Sequence, residues 1–185
     1  MLFPETGLPW VFPSPNMPSF ATALVYPGQV IWEGANISEA RGTTLPFELF
    51  GAPFLDHQEV LQALRAIDLP GCVLRPLCFE PTSGKWMGQK CVGFQIHVTD
   101  AISFRPYRTS LALLQALHRL YPGQFAYKQP PYEYEFERLP MDLILGDRRL
   151  REALENGVSP LELEQNWQPE LEVYRQRIAA VLLYD

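Results

Sequence analysis

The chain has 185 residues, 47% of them hydrophobic and 19% charged, with a formal net charge of −6, which suffices for one self-supporting core and lies far from the composition of a disordered segment. No basic run offers counterion release to a phosphate backbone, which excludes nucleic acid as an expected partner, and no stretch reaches the ~20 apolar residues of a membrane-spanning helix. The 18 prolines are about twice the usual ~5% share and predict a fold rich in loops.

Residues 1–20, MLFPETGLPWVFPSPNMPSF, are broken by Pro4, Pro9, Pro13, Pro15 and Pro18 and lack the cationic start of a signal peptide. They read as an extended N-terminal arm or inter-domain linker leading into a domain over 21–185. Ser19 can cap a short helix to Tyr26, stopped at Pro27-Gly28. A polar cluster follows at 33–44, then an apolar extended segment from Phe47 to Phe54. Asp56 can cap a helix running to Ile67, with Val60, Leu61, Leu64 and Ile67 on one face. The clearest strand is 91–99, CVGFQIHVT, where Val92, Phe94, Ile96 and Val98 alternate with Gly93, Gln95, His97 and Thr99. Cys72 to Phe79 is its expected partner, with Pro76 suggesting an edge or a bulge. The eleven-residue tip between them is too long for a tight hairpin turn and suits a binding element.

Pro106 to Tyr121 is a helical pattern built on Leu111, Leu114, Leu117 and Leu120. The segment 124–138 is aromatic, proline-broken and irregular. Two further helices are expected, one over 147–155 and one opening at Ser159-Pro160-Leu161-Glu162, whose Trp167, Leu171, Tyr174, Ile178 and Val181 form an apolar stripe that Pro169 can kink. The fold class is α+β: a small mixed or antiparallel sheet with one hairpin, packed by about four or five helices.

Catalytic templates mostly fail on this sequence. There is no GxSxG elbow, HExxH or P-loop, and Cys72, Cys78 and Cys91 lack metal-ligand spacing, so no metal site is expected. Cys78 and Cys91 can face each other across the hairpin. His57 and His118 read as structural residues on helices, whereas His97 falls on the polar face of its strand, either solvated or lining a cleft. Glu33, Glu39, Arg41 and Glu48 offer carboxylates for glycoside chemistry or a loop-fixing salt bridge. Arg41 beside Gly42-Thr43-Thr44 also suits two-pronged binding of a ligand carboxylate. Trp32 and Trp86 can stack on a sugar or belong to the core.

The strings TGLPWVFPSPNMPS (6–19), ALVYPG (23–28) and EGANISEARGTTLPFELFGAPF (33–54) resemble the C-terminal half of the NamZ-type exo-β-N-acetylmuramidases. Later segments agree in order: Phe79-Glu80-Pro81-Thr82 with Lys85 and Gly88, GFQIHVTD at 93–100, Phe104 and Pro106, then Trp167, Arg177 and Leu182-Leu183-Tyr184. The resemblance implies a bacterial enzyme of peptidoglycan turnover that removes N-acetylmuramic acid from non-reducing ends. Such enzymes have a Rossmann-like N-terminal half, which carries the proton donor, and a smaller C-terminal half, with the sugar in the cleft between. This chain begins where the second half begins, so it is expected to be inactive alone and to have the Rossmann-like half and a muramic-acid glycan as partners. No cofactor is implied. Members are often exported; the chain itself assigns no compartment.

On this footing Glu33, Asn36, Arg41 and Thr43 are expected to form the cleft wall, with Arg41 reading the lactyl carboxylate that distinguishes muramic acid from glucosamine. Lys85 and His97 are further candidates. The face meeting the other half should be apolar, with Leu8, Trp10 and Phe12 near it, and can support self-association. Two alternatives remain: a stand-alone carbohydrate-binding or protein-interaction module without catalysis, and a self-sufficient hydrolase using Glu33 with Asp100 or Glu48.

Overall fold

A computed structural model describes residues 1–182; Leu183 and Tyr184 of the terminal apolar run lie outside them. Three strands, β1 (Leu49–Ala52), β2 (Cys72–Phe79) and β3 (Cys91–Val98), form an antiparallel sheet in the order β1-β3-β2. Six α-helices surround it among the described residues: α1 (Phe20–Gln29), α2 (His57–Leu64), α3 (Pro106–Leu120), α4 (Pro140–Leu145), α5 (Arg148–Glu155) and α6 (Pro160–Ile178). This is the expected α+β class.

The hairpin pairs Cys72 with Val98 through Phe79 with Cys91. Pro76, which has no N–H to give, sits on edge strand β2, where none is needed. Cys78 lies opposite Val92 and Cys91 opposite Phe79, so the two cysteines point to different faces and all three thiols are free. The alternation in β3 puts Phe94 and Ile96 into the core, where Phe94 stacks on Phe50 and Phe50 on Trp32, each pair 5.6 Å apart. Trp32 is therefore a core residue.

α3 runs through the middle of the molecule, with every residue from Thr109 to Leu117 buried. α1 crosses it so closely that a Cβ on Gly28 would lie 2.1 Å from the Pro106 carbonyl oxygen. That contact explains a departure from expectation: α1 does not stop at Pro27-Gly28 but continues to Gln29, because Gly28 is the residue that lets two backbones meet. Gln29 then donates to Ser110 Oγ at 2.7 Å and accepts from Trp32 Nε1 at 2.9 Å.

Asp56 caps α2 as expected, accepting from Gln58 N and Glu59 N, and Val60 and Leu64 fill the core while Leu61 stays exposed. His57 is structural: its Nε2 lies 3.1 Å from Leu77 O and 2.9 Å from Gly93 O, tying the helix start to the sheet. The short α4 is not foreseen by periodicity; Met141 and Leu145 are buried, and the backbone of Met141 packs against Gly34. α6 opens on the Ser159 cap and passes Pro169 unbroken. Its expected stripe packs only at the start: Leu163 is buried and Trp167 rests on Tyr107 at 5.8 Å, while Tyr174 and Val181 are exposed.

The N-terminal residues fold back as Phe3, Trp10 and Phe20 cluster edge and face, and Trp10 Nε1 donates to Met17 O at 3.2 Å. Leu8, Val11 and Phe12 remain exposed. No helix among the described residues is long and apolar enough to cross a membrane.

Candidate functional site

Glu33 lies in a 3-10 turn, Val30–Gly34, that follows α1 directly. The residues after it are stitched down on two sides. On one, Asn36 N donates to Ala126 O at 2.9 Å, Ala126 N to Asn36 Oδ1 at 3.0 Å, Asn36 Nδ2 to Gln124 O at 2.7 Å, and Lys128 N to Gly34 O at 2.9 Å. On the other, Ser38 and Gly51 exchange backbone hydrogen bonds of 2.8 and 3.1 Å, joining the segment to β1. Asn36 thus spends its amide on the chain at 124–126 and does not line the cavity described below.

Between the stitches Arg41 projects with its side chain 39% exposed. Its Nη2 donates to Glu33 Oε1 at 2.5 Å, its Nε faces Glu39 Oε1 at 3.3 Å, and its guanidinium carbon sits 5.0 Å from the centre of the Phe47 ring. Burial works against the charge, but the hydrogen bond and charge of Glu33, helped by Glu39, outweigh it and raise the guanidinium pKa. Nη1 has no hydrogen-bond partner among the described residues. The fork is oriented on one edge and open on the other.

Thr43 holds this loop from within, its hydroxyl donating to Ala40 O at 2.8 Å and accepting from Leu45 N at 3.1 Å. Lys85, from the β2–β3 tip, inserts beneath it and gives its three N–H groups to Trp32 O at 2.5 Å, Ile37 O at 3.1 Å and Glu39 Oε2 at 2.8 Å. Desolvation lowers the Lys85 pKa in spite of Glu39. An ammonium has only three donors, so Lys85 is a staple of the wall. Trp86 next to it donates from Nε1 to Asn36 O at 2.6 Å and packs on Phe54.

The facing wall comes from 128–135. Tyr132 donates its hydroxyl to Glu33 Oε2 at 2.9 Å, and Lys128 Nζ lies 5.1 Å from the centre of the Tyr132 ring. Desolvation, then the Glu33 carboxylate, push the Tyr132 phenol well above its ordinary range. Tyr132 and Glu135 exchange backbone hydrogen bonds of 2.9 Å around Glu133 and Tyr134, whose φ values of 46° and 67° make this a two-residue mirror-type turn, usually the place of Asn-Gly.

These parts enclose an open cavity of about 370 Å³ lined by Glu33, Glu39, Arg41, Lys85, Lys128 and Tyr132, with Pro131 and Glu133 at its edge. Three carboxylates stand against three cations. Each non-glycine residue with positive φ among the described residues lines the cavity, adjoins a lining residue in sequence or contacts one: Ala40 precedes Arg41, Trp86 follows Lys85, Glu133 and Tyr134 follow Tyr132, and Phe47 underlies Arg41. Each left-handed residue costs roughly 1–2 kcal/mol, and strain of this kind gathers at functional sites.

Of the residues expected from sequence, Glu33, Arg41 and Lys85 therefore meet at one cavity. Asn36 and Thr43 hold its backbone, and His97 sits elsewhere, exposed on β3, accepting from Arg75 Nε at 3.1 Å while Arg75 Nη2 donates to Gln95 Oε1 at 2.6 Å. Glu48 is buried and accepts from the Ser19 and Thr22 hydroxyls at 3.1 and 2.7 Å, and Asp100 accepts from Ser103. Both Glu33 oxygens are engaged, by Arg41 and Tyr132, and Glu48 is buried under α1, so neither of these two carboxylates stands free at the cavity. Lys128, Tyr132 and Glu133 were not foreseen; their only advance signal is the aromatic, proline-broken character of 124–138.

A family model described as "Exo-beta-N-acetylmuramidase NamZ, C-terminal" matches residues 24–184. The chain is 37% identical over 184 residues to a Bacillus subtilis (strain 168) protein named peptidoglycan beta-N-acetylmuramidase NamZ, covering 100% of this chain and 42% of that one. Two DUF1343 family proteins of Bacteroides fragilis NCTC 9343, solved by crystallography, share the fold. One has a TM-score of 0.85 at 23% identity over 100% of this chain and 48% of its own, and the other 0.62 at 22% over 94% and 43%. The chain spans less than half the length of each of these relatives.

Proposed function

The chain belongs to the NamZ C-terminal family, and we propose that it forms the substrate-cleft wall of an exo-β-N-acetylmuramidase, holding a terminal N-acetylmuramic acid for hydrolysis by a Rossmann-like N-terminal half. The observation that carries this is the Arg41 guanidinium, oriented by Glu33 and Glu39, with Nη1 unpaired among the described residues, in the lining of a cavity of about 370 Å³. A lactyl carboxylate there gains a charge-assisted hydrogen bond from Arg41 and a second cation in Lys128. Glu33, with its oxygens held by Arg41 and Tyr132, positions Arg41 instead of moving a proton. The acid that protonates the leaving oxygen comes from the partner half, and the chain alone is inactive. The exposed apolar residues of the arm, Leu8, Val11 and Phe12, are the surface we assign to contact with that half, or to self-association in its absence.

In an enzyme comprising both halves, Arg41→Ala lowers kcat/KM on muramic-acid glycosides about 10- to 100-fold, the equivalent of ~1.5–3 kcal/mol for a hydrogen bond to a charged group. It changes the value on matched glucosamine glycosides by less than about 3-fold on the same scale. An equal loss on both assigns Arg41 to the scaffold. Binding of muramic acid to a wild-type chain that never gains activity with a Rossmann-like half makes it a free-standing binding module.

A further inference from the structure

The hairpin formed by Tyr132 and Glu133 is a shared wall. The same pair lines a second open cavity of about 510 Å³ together with Val30, Leu143, Ile144, Glu135 and Arg138. Both cavities contain Tyr132 and Glu133 in their linings, so a ligand longer than the first cavity passes from one to the other over that pair. The chemistry changes across it. The Arg41 side is built from charged groups, whereas the second cavity offers three aliphatic side chains beside polar ones.

The lining of the second cavity is fixed in place. Val30 begins the same 3-10 turn that carries Glu33, and α4, which supplies Leu143 and Ile144, packs its Met141 backbone against Gly34 at the end of that turn. Arg138 gives Nε and Nη2 to Glu135 Oε2, each at 2.8 Å, while its side chain is 69% exposed and its Nη1 has no partner among the described residues. Glu135 Oε1 in turn accepts from the backbone of Phe136 and Glu137 at 3.0 Å each. Arg138 thus repeats the arrangement of Arg41: a guanidinium steadied by a carboxylate on one edge and open on the other.

We infer that the second cavity is the subsite for the sugar adjoining the one at Arg41, an N-acetylated pyranose whose C–H face and acetyl methyl lie on Val30, Leu143 and Ile144 and whose oxygens meet Arg138. This rests on the reading of the Arg41 cavity given above. An N-acetylated sugar is apolar on a face and polar around its edge, which matches an aliphatic lining bordered by the polar groups of Glu133, Glu135 and Arg138, and a glycan continues out of a cavity that holds its terminal residue.

The test is methyl NMR on the chain itself, titrated with N-acetylmuramic acid and with the disaccharide N-acetylmuramyl-β-1,4-N-acetylglucosamine. The monosaccharide is expected to shift Ala40 and leave Val30, Leu143 and Ile144 unmoved, while the disaccharide shifts both sets. Ile144→Glu, and independently the exposed Arg138→Ala, should weaken disaccharide binding about 10-fold, a step of ~1.4 kcal/mol, and leave the monosaccharide unchanged. Disaccharide shifts confined to Ala40, or variants that weaken both sugars alike, overturn the subsite and leave the Arg41 reading intact. Shifts at neither cavity overturn both. Shifts at Leu143 and Ile144 with a muramyl stem peptide and not with the disaccharide make this a peptide site and overturn the sugar assignment.

Discussion

The Tyr132 hydroxyl donates to Glu33 Oε2 at 2.9 Å across 99 positions of sequence, so the far wall of the cavity is tied to the carboxylate that orients Arg41. Tyr132→Phe keeps the ring and removes the tie. A hydrogen bond to a charged acceptor contributes about 1.5–3 kcal/mol; because this one is partly exposed, a loss of about 1–2 kcal/mol is expected. Urea unfolding should show a lower midpoint with an unchanged slope. An unchanged midpoint would mean that solvent replaces the phenol at no cost.

Lys85 holds two backbone carbonyls and the buried Glu39. Lys85→Met leaves that carboxylate with Arg41 alone, at 3.3 Å, and should destabilise the chain by about 3 kcal/mol, the lower end for breaking a buried pair. Desolvation dominates at Lys85 and lowers its pKa, so the ammonium is held against a penalty. The double variant Lys85→Met with Glu39→Gln should therefore recover part of the loss in a thermal melt. A double variant worse than the sum of its parts would refute this.

The turn at Glu133-Tyr134 puts two ordinary side chains at φ values of 46° and 67°. Glu133→Asn with Tyr134→Gly supplies the residues that such a turn prefers and should raise stability by about 1–2 kcal/mol. Tyr134 is 93% exposed, so little packing is lost. A fall in the melting temperature would show that the tyrosine is held by contacts that outweigh the strain.

Glu135 is pushed down to about 2, first by the backbone N–H of Glu137 and next by the Arg138 side chain. Its folded pKa is depressed, so the turn over 135–138 keeps its hold above the ordinary carboxylate pKa and loses it as pH falls through about 2. The protection of the Phe136 and Glu137 amides, measured as exchange relative to the intrinsic rate at each pH, should hold from pH 6 downward and fall only at the acid end. In Glu135→Gln that protection should be low throughout.

Local signals in the sequence carried far. The Asp56 and Ser159 caps, the two-residue alternation in β3 and the leucine pattern of α3 all report on interactions within a few residues, and each element begins where they place it, although α2 ends at Leu64 and not at Ile67. The errors fall where a distant partner decides. α1 outruns Pro27-Gly28 because Gly28 meets Pro106, and α4 forms just after the aromatic, proline-broken region, where Met141 meets Gly34. The same division holds at the site. Glu33 and Arg41 are eight positions apart and legible together, whereas Lys128 and Tyr132 join them through long-range bonds, the Asn36 stitch to 124–126, Lys128 N to Gly34 O and the Tyr132 hydroxyl to Glu33. Asn36, expected on the cleft wall for its polarity, spends that polarity on the backbone of 124–126. His97 does face the polar side of its strand, and that side belongs to Arg75 and Gln95.

The left-handed residues beside the cavity are set by the fold itself, Glu133 and Tyr134 by the Tyr132–Glu135 backbone pair and Phe47 beneath the Arg41 guanidinium. On the proposed function, a sugar meets polar groups standing where they are needed and loses little affinity to reordering the wall. Rigid walls of this kind leave encounter rates nearly alike for related glycans. On the proposed function, discrimination between them is then a matter of dwell time: the right sugar stays longer, and the wrong one arrives as often but leaves sooner.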